Sequence, residues 1–171
     1  RTVTSVADIA CLLALMFKYS CEHSRIIVYQ GGISYTNLDL KSGTILDNMH
    51  SIKAIPNKSE TKNFQIESGG DLPRCSLLNI QLERELYDNL VLLSSGVKNN
   101  DIEFMKEWLS VYRTHINEQL LFVNVDLSAN ESDLVGNSTF ENENDICIAG
   151  FSDSILRFVA ERGNKGQLMY V

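Results

Sequence analysis

From Ser76 onward, short aliphatic runs alternate with segments whose apolar residues recur at helical spacing. A chain of this kind buries its strands between helices, so the alternation predicts a largely parallel sheet covered on both faces. Leu77, Leu78, Ile80, Leu82 and Leu86 give the segment Ser76 to Tyr87 a broad apolar surface and predict a helix. Leu90 to Leu93 follows as a strand. Asn100 or Asp101 is the expected cap of a helix reaching about His115, with Ile102, Met105, Trp108, Leu109 and Tyr112 on one face. Gln119 to Val125 reads as the next strand, Asp126 to Asp145 as a loop, Ile146 to Ala149 as a strand and Ser152 to Arg162 as the last helix.

The first part of the chain is read the same way. Ser5 with Asp8 has the form of a capping box, with Asp in place of Glu. Val6, Ile9, Ala10, Leu13 and Phe17 then predict a helix from about Val6 to Glu22. Arg25 to Gln30 is β-branched enough for a buried, parallel central strand. Gly31-Gly32 signals a turn, and Ile33 to Leu40 reads as an antiparallel edge strand closing a hairpin. Thr44 to Ile52 reads as a short helix, and the polar stretch Pro56 to Gly70 as the first long loop. Val28, Leu92, Val123 and Ile148 are the expected buried strand residues.

The 171 residues, 44% of them hydrophobic, suit one domain spanning 1–171 with a full core. The formal net charge of -7 argues against direct nucleic-acid binding, which rests on basic contacts to phosphate. Cys11, Cys21, Cys75 and Cys147 form no C-x-x-C pair and have no His at ligand spacing. They read as free thiols of a reducing compartment, which makes cytoplasmic or nuclear residence the expectation. Sequons at Asn57, Asn130 and Asn137 matter only on a secreted protein. The apolar stretch Ile9 to Phe17 is too short to span a bilayer, so no membrane partner is expected.

No Gly-x-Ser-x-Gly elbow and no phosphate-cradling Gly-x-Gly-x-x-Gly or Gly-x-x-x-x-Gly-Lys loop occurs, and His23, His50 and His115 are far apart. The expectation is therefore a non-enzyme with no catalytic residues. Asp126, Glu131, Asp133, Glu141, Glu143 and Asp145 form an acidic stretch without Lys or Arg, read as a solvated loop in preference to a Ca²⁺ or basic-partner surface. Met105 and Trp108 read as core.

Three runs carry a family resemblance. They are Cys147-Ile-Ala-Gly-Phe-Ser-Asp-Ser-Ile-Leu-Arg-Phe158, Leu121-Phe-Val-Asn-Val125, and Ser68-Gly-Gly-Asp71 followed by a helix and Leu90-Val-Leu-Leu-Ser94. Taken in their order along the chain, they resemble the von Willebrand A-type domain at the carboxyl end of TROVE-containing Ro ribonucleoproteins and of plant and fungal TROVE-like proteins. The resemblance implies a Rossmann-type α/β fold that lacks its first strand, which would precede Arg1. It also implies a place for a metal-ion-dependent adhesion site, whose oxygen ligands suit Mg²⁺. The pattern departs at each piece: Asp71 stands where a Thr is expected, and Ser94 and Ser95 where an Asp is expected. Val125-Asp126-Leu-Ser128-Ala-Asn130 imitates Asp-x-Ser-x-Ser, but no helical periodicity follows it.

The site is therefore read as degenerate, with no metal and no cofactor. Asp71, Ser94, Ser95, Asp126 and Ser128 are the residues that would line one if Mg²⁺ bound. The implied function is a non-catalytic interaction or scaffold domain, one setting for which is a ribonucleoprotein. Its partner would be another protein or its own TROVE-like helices, with RNA held only through companion regions. A Mg²⁺-dependent adhesion module and an α/β enzyme of nucleotides or phosphates are the alternatives.

Overall fold

The computed structural model describes residues 4–30, 32–35, 38, 40, 43–55, 64–66, 72–129, 140–152, 155, 157 and 158. Asp71, the three sequon asparagines, Glu131, Asp133 and most of the expected last helix lie outside them; residues 155, 157 and 158 are helical.

Among the described residues, ten elements with both ends defined follow one another: α1 (Val6–Ser20), β1 (Val28–Gln30), β2 (Ile33–Tyr35), α2 (Ile45–Ala54), β3 (Phe64–Ile66), α3 (Arg74–Leu82), β4 (Asn89–Ser94), α4 (Asn99–His115), β5 (Leu121–Asp126) and β6 (Asp145–Ala149). The strands make two three-stranded sheets. One is antiparallel, in the order β1-β2-β3, and the other parallel, in the order β4-β5-β6.

Both early helices start at reciprocal caps. The Ser5 hydroxyl accepts from the Asp8 amide, and the Asp8 carboxylate accepts from the Ser5 amide at 2.9 Å. Thr44 and Asp47 repeat the device on α2. Each box satisfies amides that the helix leaves unpaired at its N-terminus. The two helices pack together, Lys53 of α2 pairing with Asp8 and the Asn48 amide donating to the Tyr19 hydroxyl.

The parallel sheet is coated on both faces by the period-two alternation of its strands. Leu121, Val123 and Val125, with Val91, Leu93, Ile146 and Ile148, meet Leu13, Ile9 and Met16 of α1 and Ile155. Phe122, with Leu90, Leu92 and Cys147, meets Leu77 and Ile80 of α3 and Met105, Trp108, Leu109 and Tyr112 of α4. Helices on both faces of a parallel sheet are thus present as expected.

Several expectations are corrected. Arg25 to Gln30 is not a central parallel strand; only Val28–Gln30 is extended, and it pairs antiparallel with β2. Ile33–Tyr35 is not an edge but the middle of its sheet, because Phe64–Ile66, inside the expected loop, pairs with its other side. Three residues give too little periodicity to announce a strand, whereas the free amides and carbonyls of β2 provide one with a partner. Val123 is fully buried, but Val28, Leu92 and Ile148 are only half-buried. The reason is geometric: among the described strands β5 is the inner one of its sheet, so Leu92 on β4 and Ile148 on β6 sit at edges, and Val28 sits on the outer strand β1 of the other sheet.

The helix before β4 ends earlier than expected, at Leu82. Arg84 adopts φ 53°, the Glu85 amide donates to the Ile80 carbonyl at 3.0 Å and the Arg84 amide to the Gln81 carbonyl at 3.2 Å. This is a Schellman closure with Arg where glycine is usual. It turns Leu86 out of the helix, leaving it 70% exposed. The N-cap of α4 is Lys98, not Asn100 or Asp101. Asp101 is buried and takes both Nε (3.1 Å) and Nη2 (2.7 Å) of Arg74, whose guanidinium also lies over the Phe104 ring.

Candidate functional site

In a parallel sheet the strands deliver their carboxyl ends to one rim, where open α/β sheets bind ligands. Here β4 and β5 run in register from Asn89↔Leu121 to Ser94↔Asp126, and β6 places Ala149 opposite Asp126. The Leu127 amide donates to the Ser94 carbonyl at 2.8 Å and the Gly150 amide to the Asp126 carbonyl at 2.7 Å. The three strand ends are therefore sewn together just as they leave the sheet.

Asp126 is the centre of this rim. Its Oδ1 accepts from the Ser128 amide (3.0 Å), the Ser128 hydroxyl (2.8 Å) and the Ala129 amide (3.2 Å). The Ser128 hydroxyl also lies 3.1 Å from the Ser95 carbonyl, its single proton shared between the two acceptors. The Gly96 amide donates to the Ser94 hydroxyl at 3.3 Å. Gly96 has φ 100°, and a Cβ on it would stand 3.3 Å from Asp126 Oδ2. Only glycine combines that backbone with that approach. Phe151, at the end of β6, is half-exposed at the same end of the sheet.

Of the residues singled out from the sequence, Ser94, Ser95, Asp126 and Ser128 are brought together. Asp71 is outside the described residues. The described rim supplies one carboxylate and three hydroxyls. A Mg²⁺ ion is ordinarily held through one or two carboxylates, with waters completing an octahedron. Asp126 is the one carboxylate of the described rim; its Oδ1 already accepts three hydrogen bonds, which leaves Oδ2 as its oxygen for an ion, and no second charge stands among the described rim residues. No group of three His, Cys, Asp or Glu residues with metal-holding geometry occurs among the described residues.

The opposite end of the sheet carries a polar depression lined by Lys106, Arg113, Glu118, Glu141 and Asp145. Asp145, read from the sequence as part of a solvated acidic loop, is the first residue of β6 and nearly buried. Arg113 reaches it at 2.7 Å and also donates to the carbonyls of Leu120 (2.9 Å) and Asn144 (3.1 Å). The guanidinium is thus spent on tying α4 to the starts of β5 and β6. Nothing local in the sequence links Arg113 to Asp145. The pairing is set by the crossover that brings both to one end of the sheet.

Burial pushes the Cys147 thiol above its ordinary range, with Asp145 adding to the effect, and burial does the same to Cys11. Both shifts run opposite to the lowered thiol that activates a cysteine nucleophile. No helix among the described residues is long and apolar enough to cross a membrane.

Over 95 residues the chain is 30% identical to Telomerase protein component 1 of Mus musculus, a stretch covering 56% of this chain and 3% of that protein. No solved structure matches the chain. The family described as Domain of unknown function (DUF5920) matches residues 5–171, and the chain belongs to that family.

Proposed function

We propose that this domain is a non-catalytic protein-interaction scaffold of a ribonucleoprotein, built on a von Willebrand A-like fold whose metal-ion-dependent adhesion site is degenerate. The observation that carries the reading is the commitment of Asp126. The single carboxylate of the described strand rim gives one oxygen, Oδ1, to holding its own loop through Ser128 and Ala129. Ser94 and Ser95 bring hydroxyls in place of a second charge.

The ribonucleoprotein part is supported by the resemblance to the carboxyl-terminal domain of TROVE-type proteins. It is supported also by the mouse relative, which is named as a protein component of telomerase. The net charge of -7 favours a division of labour in which companion regions hold RNA and this domain holds protein, either another subunit or TROVE-like helices of its own chain. Such a part works in the cytoplasm or the nucleus.

Two titrations of the 171-residue chain test the proposal. Calorimetry with Mg²⁺ and Mn²⁺ is expected to give no micromolar binding, and a single-stranded RNA is expected to keep its gel mobility at physiological salt. Micromolar Mg²⁺ binding that vanishes in Asp126→Ala would replace this reading with a metal-dependent adhesion module. Tight RNA binding by the chain alone would end the division of labour. Saturable binding of inorganic phosphate or a nucleotide would favour an enzyme.

A further inference from the structure

Helices α3 and α4 run in the same direction, because their contacts advance together. Arg74 meets Asp101, the Trp108 indole donates to the Leu77 carbonyl at 2.8 Å, Gln81 reaches the Trp108 carbonyl and Arg84 the His115 carbonyl. On α4, Asn100, Asp101, Phe104 and Trp108 touch α3, His115 is reached by Arg84 just past the end of α3, and helical spacing puts Val111 on that same line. On α3, Leu78 follows Arg74 by one turn and Leu82 follows Leu78 by another. Leu78, Leu82 and Val111 thus border the outer side of the seam between the two helices, and they are 42%, 79% and 40% exposed.

The core does not require them. α3 already buries Ser76, Leu77 and Ile80, and α4 buries Met105, Trp108, Leu109 and Tyr112. A second apolar line on the solvent side of a helix marks a binding surface when it continues across a neighbouring helix. Two parallel helices with aliphatic lips form a groove, the shape into which an amphipathic helix lays its apolar face.

The charges beside the groove specify the occupant. Glu103 and Glu107 precede Val111 at four-residue intervals on the same side of α4, and Glu83 closes the end of α3. Lys106 stands 3.8 Å from Glu103 and Arg84 is turned onto the His115 carbonyl, while Glu83 and Glu107 form no ion pair among the described residues. We infer that the groove between α3 and α4 docks a basic amphipathic helix of a protein partner. Its Leu-type residues would sit against Leu78, Leu82 and Val111, and its Lys or Arg residues against Glu83 and Glu107. The inference goes beyond the proposed function, because it concerns a surface away from the strand rim and stands without the ribonucleoprotein assignment.

The test uses two fluorescent 18-residue helical peptides with the same leucine pattern, one with Lys and one with Glu at the polar positions, titrated into the 171-residue chain. The Leu/Lys peptide is expected to bind saturably and the Leu/Glu peptide at least tenfold more weakly. Leu82→Gln and Leu78→Gln are expected to weaken the Leu/Lys peptide at least tenfold. Glu107→Gln should weaken it less and flatten its salt dependence. Circular dichroism should show unchanged melting for all three variants, since the side chains are exposed. Failure of the Leu/Lys peptide to bind, equal binding of both peptides, or binding indifferent to Leu82→Gln would overturn the inference. So would a wild-type chain that sediments as a dimer which Leu82→Gln disperses, since the occupant would then be a second copy.

Discussion

The Tyr112 hydroxyl accepts from the Tyr87 amide at 2.8 Å and donates to the Glu85 carbonyl at 2.7 Å, so one side chain of α4 fastens both ends of the turn into β4. Tyr112 is completely buried and its ring stacks on Trp108 at 4.8 Å. Tyr112→Phe keeps the ring and leaves an amide and a carbonyl without their partner. It is expected to cost about 1–3 kcal/mol in denaturant unfolding, the penalty for orphaned polar groups. A variant as stable as the parent would show that water or a shifted turn takes over both bonds.

Position in the sheet should decide the cost of truncation. Phe122, on the inner strand, is fully buried and meets Phe140 edge-on at 5.0 Å. Phe122→Ala should cost about 3–5 kcal/mol, transfer and cavity together. Val28→Ala, in the half-buried hairpin, should cost under about 1.5 kcal/mol. Equal losses at the two positions would contradict the separation into an inner strand and a marginal antiparallel sheet.

The rim should behave as structure. Asp126→Ala frees the Ser128 and Ala129 donors and is expected to cost about 1.5–3 kcal/mol, the range for bonds to a charged group. Gly96→Ala forces a side chain into a left-handed backbone against Asp126 and should cost about 1–3 kcal/mol. Both losses should be the same with and without millimolar Mg²⁺ in thermal melts. A loss that appears only in the presence of Mg²⁺ would assign Asp126 to an ion.

The cap of α1 gives a pH dependence with a definite sign. Lys53, and then the amide and hydroxyl of Ser5, hold the Asp8 carboxyl well below the usual carboxylate range. A carboxylate favoured in the folded state contributes stability above its unfolded value near 4, and that contribution disappears as pH falls toward the folded value. Asp8→Asn should therefore lower the melting temperature by a few degrees at pH 7, and the gap to the parent should narrow between about pH 5 and pH 2. A gap that stays constant down to pH 2 would mean that Asn loses packing and not charge.

Legibility in the sequence followed the range of each interaction. The Ser5–Asp8 box, the helical faces of α1 and α4 and the runs that became β4, β5 and β6 all depend on residues within a few positions of one another, and they were readable. The nearness of Ser94, Ser95, Asp126 and Ser128 follows from the same strand order, because parallel strands separated by helices end on one rim. The sheet to which Val28–Gln30 belongs, the existence of β3 and the early end of α3 at Arg84 were not readable. Each depends on a partner brought up by the chain from elsewhere: β2 has two sides to pair, and Arg84 has the His115 carbonyl to reach at 2.6 Å.

The sequence by itself determined the helices α1, α2 and α4, the runs that form β4, β5 and β6, and that these parallel strands carry apolar residues to both faces. These follow from local periodicity and from capping, which act within a turn or two. Only the tertiary structure decided that β5 is the inner strand of the described parallel sheet, that Asp145 is consumed by Arg113 instead of facing solvent, and that Leu78 and Leu82 stay outside while Leu77 and Ile80 go in. An apolar residue or a charge carries no record of its partner. Its burial is fixed when distant segments close on it, and the three-stranded sheet has room for one inner strand and helices have one core-facing side each.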